Sequence, residues 1–131
     1  MFTRAQVLSA IDTFEAATFR TARVARELLT GNAALKVSQI GPQVFVSRAK
    51  GQDDTHVRTA LAVLVEDLAE ARAWAESVGA TVESGIRDAG WPYEYLHAEA
   101  EIDGVQVDVT TTRLLSSEDA DTWRASQAGV Q

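Results

Sequence analysis

The chain has no cysteine among its 131 residues. That excludes a disulfide framework, a thiolate nucleophile and a cysteine-ligated metal. It suits a reducing compartment, and the expected location is the cytoplasm. Histidine occurs twice and proline twice. Of the twelve basic residues only Lys36 and Lys50 are lysine, whereas alanine occurs 22 times. This composition resembles the coding bias of a GC-rich genome, so the arginines are not read as a selected nucleic-acid surface. No run approaches the ~18 consecutive apolar residues of a membrane span. The start, "MFTRAQVLSAIDTF", lacks the charged and apolar regions of a signal peptide. There is no glycine-rich phosphate loop, no Gly-x-Ser-x-Gly elbow and no internal repeat.

What remains is an acidic chain of ordinary globular composition, 46% hydrophobic and 24% charged, with net charge −7. Its length suits a single domain over 1–131 with a frayed tail at 127–131. The charge is unevenly spread. Residues 1–58 hold eight basic and five acidic residues, a balance of +3, and residues 59–131 hold four and fourteen, a balance of −10. Such asymmetry points to a charged partner or to head-to-tail self-association, against the simpler role of keeping the protein soluble.

Hydrophobic periodicity supplies the elements. Thr3 and Gln6 have capping-box spacing, and Val7, Ile11, Phe14, Ala17, Thr21, Val24 and Leu28 recur as one helical face, so a helix is predicted over 4–30. "ALKVSQI" and "QVFVSRA" read as a hairpin at 34–40 and 43–49 around Gly41-Pro42, followed by a polar loop, "KGQDD". Val57, Leu61, Leu64, Leu68, Ala71, Ala75 and Val78 read as a second helix. It would be capped by Asp54 or Thr55, ended by Gly79, and carry Trp74 at its edge and His56 at its start. The same regularity could serve as a coiled-coil seam and so a homodimer. "TVESGIR" reads as a strand. "YEYLHAEAEI" and "VQVDVTTTRLL" flank Asp103-Gly104, the strongest short hairpin signal. "SSEDADTWRAS" reads as a closing helix, in which Trp123 pins the helix or anchors a partner. The expected fold is α+β, a two-layer sandwich in the order α-β-β-α-β-β-β-α. It has a mostly antiparallel five-stranded sheet and two long helices on one face.

A two-residue turn at 103–104 fixes the register of the last hairpin. Ile102, Ala100, Ala98 and Leu96 then share one side with Val105, Val107, Val109 and Thr111. The other side pairs Glu101 with Gln106, Glu99 with Asp108, His97 with Thr110 and Tyr95 with Thr112. Opposed like charges are destabilising, so Glu99 beside Asp108 must be well solvated or face something positive. Three readings follow: a hydrated, solubilising face; a docking surface for a basic partner; or a metal or acid/base site of His97, Glu99 and Asp108. Tyr93 and Tyr95 on the same side, with Trp91 nearby, suit an interface.

The order β-α-β-β-β from Val44 to Thr112 is similar to the module of glyoxalase-like metal enzymes. "EIDGVQVDV" resembles that module's closing hairpin, with Asp108 near the position of its glutamate ligand. The opening strand carries no histidine, a helix and a strand precede it, and only one module is present, so no catalytic residue is carried over. Arg20, Arg23 and Arg26 share the polar side of the first helix with Asp12 and Glu27, which favours a solvated face over nucleic-acid binding.

The functional expectation is a small non-enzymatic binding module that needs no cofactor. Its acidic hairpin face, formed by His97, Glu99, Glu101 and Asp108 with Trp91, Tyr93 and Tyr95, would dock a basic protein surface. Inhibitors, adaptors, secretion-type chaperones, nucleic-acid charge mimics and phage or mobile-element accessory proteins are of this kind. The alternative is a small metal-dependent enzyme or ligand-binding protein using His97, Glu99 and Asp108.

Overall fold

A computed structural model describes residues 3–48 and 55–129. The loop expected at 50–54 and the last two residues of the tail lie outside them. Helix α1 (Arg4–Gly31) begins with the predicted capping box. Thr3 Oγ1 accepts from the Gln6 N–H at 3.2 Å, and Gln6 Oε1 accepts from the Thr3 N–H at 2.9 Å. The expected single stripe divides in two, however. Ala17, Thr21, Val24 and Leu28 are buried, whereas Val7, Ile11 and Phe14 stay exposed. The steps 11→14→17 are both of three residues. Each falls ~60° short of a full turn, which swings the buried row away from the earlier one.

Strand β1 (Gln39–Arg48) runs straight through Gly41 and Pro42. The two short strands predicted on either side of that dipeptide are one strand, and residues 34–38 lead into it. β1 is the edge of the sheet, where the missing proline N–H breaks no inner ladder. Its partner is β2 (Thr55–Leu64), which corrects the long second helix. Val57, Leu61 and Leu64 have helical spacing, but Val57, Thr59, Leu61 and Val63 also alternate, and the β-branched residues settle the choice toward strand. The backbone of His56 therefore lies in β2. The true helix, α2 (Leu68–Val78), is capped by Asp67, whose carboxylate accepts from the Glu70 N–H at 2.7 Å. Gly79, at φ 67°, ends it as expected.

β3 (Thr81–Asp88), β4 (Pro92–Ile102), β5 (Val105–Leu114) and α3 (Ser117–Ala128) complete the predicted order of elements. The strands lie as β1-β2-β5-β4-β3. The fold is α+β, and its sheet is mixed rather than mostly antiparallel: β2 runs parallel to β5, while the three other neighbouring pairs are antiparallel. Parallel pairing needs a crossover. The chain supplies it through α2, β3 and β4 before β5 slots in beside β2.

One face of the sheet makes the core. Leu61 and Val63, Val105, Val107 and Val109, and Leu96 and Ala98 pack beneath Val24 and Leu28 of α1 and Ala71, Trp74 and Ala75 of α2. Trp74 is fully buried rather than at a helix edge, and its indole N–H donates to the Lys36 carbonyl at 2.8 Å. The buried threonines find backbone partners, as buried hydroxyls must. Thr21 donates to the Ala17 carbonyl and Thr111 to the Val65 carbonyl, both at 2.8 Å. Among the described residues no helix is long and apolar enough to cross a membrane.

Candidate functional site

Asp103 (φ 51°) and Gly104 (φ 79°) both take positive φ, as a type I′ turn requires. The turn sets β4 and β5 in the predicted register: Ile102 opposite Val105, Glu101 opposite Gln106, Glu99 opposite Asp108 and His97 opposite Thr110. Ala98, Val105, Val107 and Val109 are buried beneath the helices. The alternate residues point the other way, from the face that α1 and α2 leave uncovered. There the Glu99 side chain is 58% exposed and Asp108 24%.

His97 joins the two carboxylates. Its Nε2 lies 3.6 Å from Glu99 Oε1 and 3.7 Å from Asp108 Oδ1. One ligand-type atom from each of the three residues falls within 4.8 Å of the others. Gln106 Nε2 donates to both Asp108 oxygens, at 3.0 and 3.2 Å. Among the described residues no amide donates to Glu99 in this way, and its side chain is largely exposed. Glu101 lies one pleat further toward the turn. There a shallow cleft of about 440 Å³ runs between Arg58, Thr59, Glu99, Glu101 and Gln106.

The aromatic residues divide into two groups. Tyr93 and Tyr95 sit 6.5 Å apart on the same face. Tyr95 O–H donates to Glu83 Oε1 at 3.2 Å, and the Arg87 guanidinium lies 4.1 Å from the centre of its ring. Arg87 also pairs with Glu83 at 3.3 Å. Tyr95 is the main cause of a raised Arg87 pKa, with burial opposing it and Glu83 adding a smaller upward contribution. Trp91 stands apart from this group. It precedes β4, six residues or about 20 Å of strand from His97. Its indole N–H donates to the Leu115 carbonyl at 2.8 Å, and Arg124 of α3 stacks over its ring at 5.1 Å.

Glu83 and Arg87 escaped the sequence reading. They reach the site because β3 pairs with β4, placing Glu83 opposite His97, Gly85 opposite Tyr95 and Arg87 opposite Tyr93. The β3–β4 loop is not a two-residue turn, so spacing alone could not set that register. Gly85 is the one sequence clue: a side chain there would meet the Tyr95 ring, which lies 3.4 Å from an added Cβ.

The face thus offers two carboxylates and an imidazole at the centre, a third carboxylate toward the turn, and an arginine–tyrosine cluster along one side. Such a set can hold a guanidinium by charge-assisted hydrogen bonds, or a divalent cation through mixed nitrogen and oxygen ligands. Compared with protein-family models and with curated proteins, the sequence matches none.

Proposed function

We propose that this chain is a non-enzymatic binding module that docks an arginine-bearing segment of a partner protein on the outer face of β4 and β5. One observation carries the reading: Glu99 stands directly opposite Asp108, on the side of the sheet that the helices leave open. Directly opposed carboxylates weaken a strand pair. A guanidinium placed between them removes the repulsion and can donate a bidentate pair of hydrogen bonds to either one. Tyr93 and Tyr95 lie beyond His97 on the same face and offer aromatic surface with polar tips, a common composition for interface cores. Glu101 extends the negative strip toward the cleft beside Arg58. The carboxylates would chiefly steer association and fix register.

The test is calorimetric titration with an arginine-rich peptide and with its glutamate counterpart. Binding of the first alone is expected. It should weaken as salt rises and be lost in the double variant Glu99→Lys, Asp108→Lys with the fold intact by circular dichroism. Equal binding by the double variant would refute the reading.

A second reading rests on His97, whose Nε2 is nearly equidistant from the two carboxylates. A modest contraction would bring the three ligand atoms around one Zn²⁺, Mn²⁺ or Ni²⁺ ion at ~2.1 Å. Titration with those ions and with Mg²⁺ tests it. Binding abolished by His97→Ala supports a metal centre, and no heat with any of them removes it.

A further inference from the structure

Helix α1 has more apolar surface than its own sheet covers. The side bearing Ala17, Thr21, Val24 and Leu28 is buried. On the side turned away, Val7, Leu8, Ile11 and Phe14 are each about half exposed, and Phe19 is 73% exposed. Rotation by ~100° per residue places Val7, Ile11 and Phe14 in one row with Leu8 along its edge, while Phe19 lies further round the helix. Val7, Leu8, Ile11 and Phe14 together present on the order of 350 Å² of apolar area, the size of the largest patch on a typical monomer, which is often functional.

We infer that two copies of this chain associate through this face of α1, packed antiparallel about a two-fold axis near Ile11. The steps Val7, Ile11, Phe14, Thr18 alternate four and three, which is the spacing of a helix that packs along another helix. A two-fold contact requires a self-complementary patch, and this one is. Setting Val7 of one copy beside Phe14 of the other aligns the apolar row with itself. Arg4 then stands level with residue 17 of the opposite helix, about 3 Å along the axis from its Glu15. Arg4 and Glu15 are both exposed and fall on the same edge of the row, so the pairing forms two symmetric ion pairs. The apolar patch supplies somewhat under half of the ~800 Å² per partner of a standard interface, and the charged rim adds to it. The contact is independent of the acidic sheet face, which remains open in the dimer.

Sedimentation equilibrium over a range of concentrations tests the inference on the full chain. The protein is expected to be dimeric. Ile11→Glu should raise the dimer dissociation constant about thirtyfold or more, the loss expected of a central contact. Because Ile11 is half exposed, the variant should keep its circular dichroism spectrum. Arg4→Glu and Glu15→Arg should each weaken the dimer, and the two together should restore it. The natural chain has no cysteine, so single thiols give a clean readout of orientation. Ile11→Cys should cross-link to itself on mild oxidation and Val7→Cys should not. A monomer at all concentrations, a dimer indifferent to Ile11→Glu, or self-cross-linking through Val7→Cys would each overturn the inference.

Discussion

Glu99 and Asp108 occupy directly opposed positions on neighbouring strands, and His97 Nε2 stands within 3.7 Å of a carboxylate oxygen from each. The arrangement places like charges across the ladder, a local cost, with an imidazole beside both. Asp108 accepts two hydrogen bonds from Gln106, whereas Glu99 has no such donor among the described residues. Residues held at such a cost are ones that folding alone would not select.

Glu99→Gln is therefore expected to stabilise the domain, by about 0.2–1 kcal/mol at low ionic strength, the usual worth of a cross-strand charge term. Urea denaturation at low and high salt checks it. The gain should shrink as salt screens the pair. The same variant should bind the arginine-rich peptide more weakly.

Trp74 fills the centre of the core between α2 and the sheet, and its indole N–H holds the Lys36 carbonyl. Trp74→Ala should cost about 3–5 kcal/mol through cavity formation. Trp74→Phe keeps much of the volume but leaves that carbonyl without its partner, a cost of about 1–3 kcal/mol. Thermal unfolding of the two variants separates packing from the hydrogen bond.

Gly104→Ala should destabilise by about 1–2 kcal/mol, the penalty of a side chain in the left-handed region. Space is not the cause, since the nearest atom to an added Cβ, Arg20 Nε, is 4.0 Å away. Denaturant unfolding of Gly104→Ala beside Gly104→Asn, a residue that tolerates positive φ, checks the assignment. Asparagine should restore most of the loss.

Thr111 is buried and donates to the Val65 carbonyl at the point where the chain leaves β2 for α2. Thr111→Val keeps the shape and removes the donor, so a loss of about 1–3 kcal/mol is expected. Hydrogen exchange should show faster opening of the backbone around 65–67 than of the β4–β5 turn.

Local chemistry made the hairpin, the α1 cap and the end of α2 legible in the sequence. Asp103-Gly104 admits one turn type, Thr3 and Gln6 satisfy each other's free N–H groups, and Gly79 takes a left-handed conformation at the end of its helix. The Glu99–Asp108 pairing followed from the turn by counting. The apolar residues of segment 55–64 fit periods of both 3.6 and 2; its β-branched residues favour strand, and pairing with β1 and β5 fixes it. Pro42 reads as a breaker until β1 is known to be an edge strand. The α1 stripe looked continuous because a one-dimensional pattern does not register a slow rotation around the helix. Glu83 and Arg87 depend on a strand pairing set by a longer loop, so nothing local placed them beside Tyr95.

The last strand of the sheet in sequence is also its middle one: β5 enters between β2 and β4, and its parallel contact with β2 joins residues 60–64 to 106–110. Until that insertion happens, the two sides of the sheet have no common ladder, and Val105, Val107 and Val109 are missing from beneath the helices. Asp108 travels on the same strand. The hydrophobic interior and the facing acids are therefore two sides of one strand: Val107 and Val109 line the core while Asp108 between them faces Glu99 on the outer face.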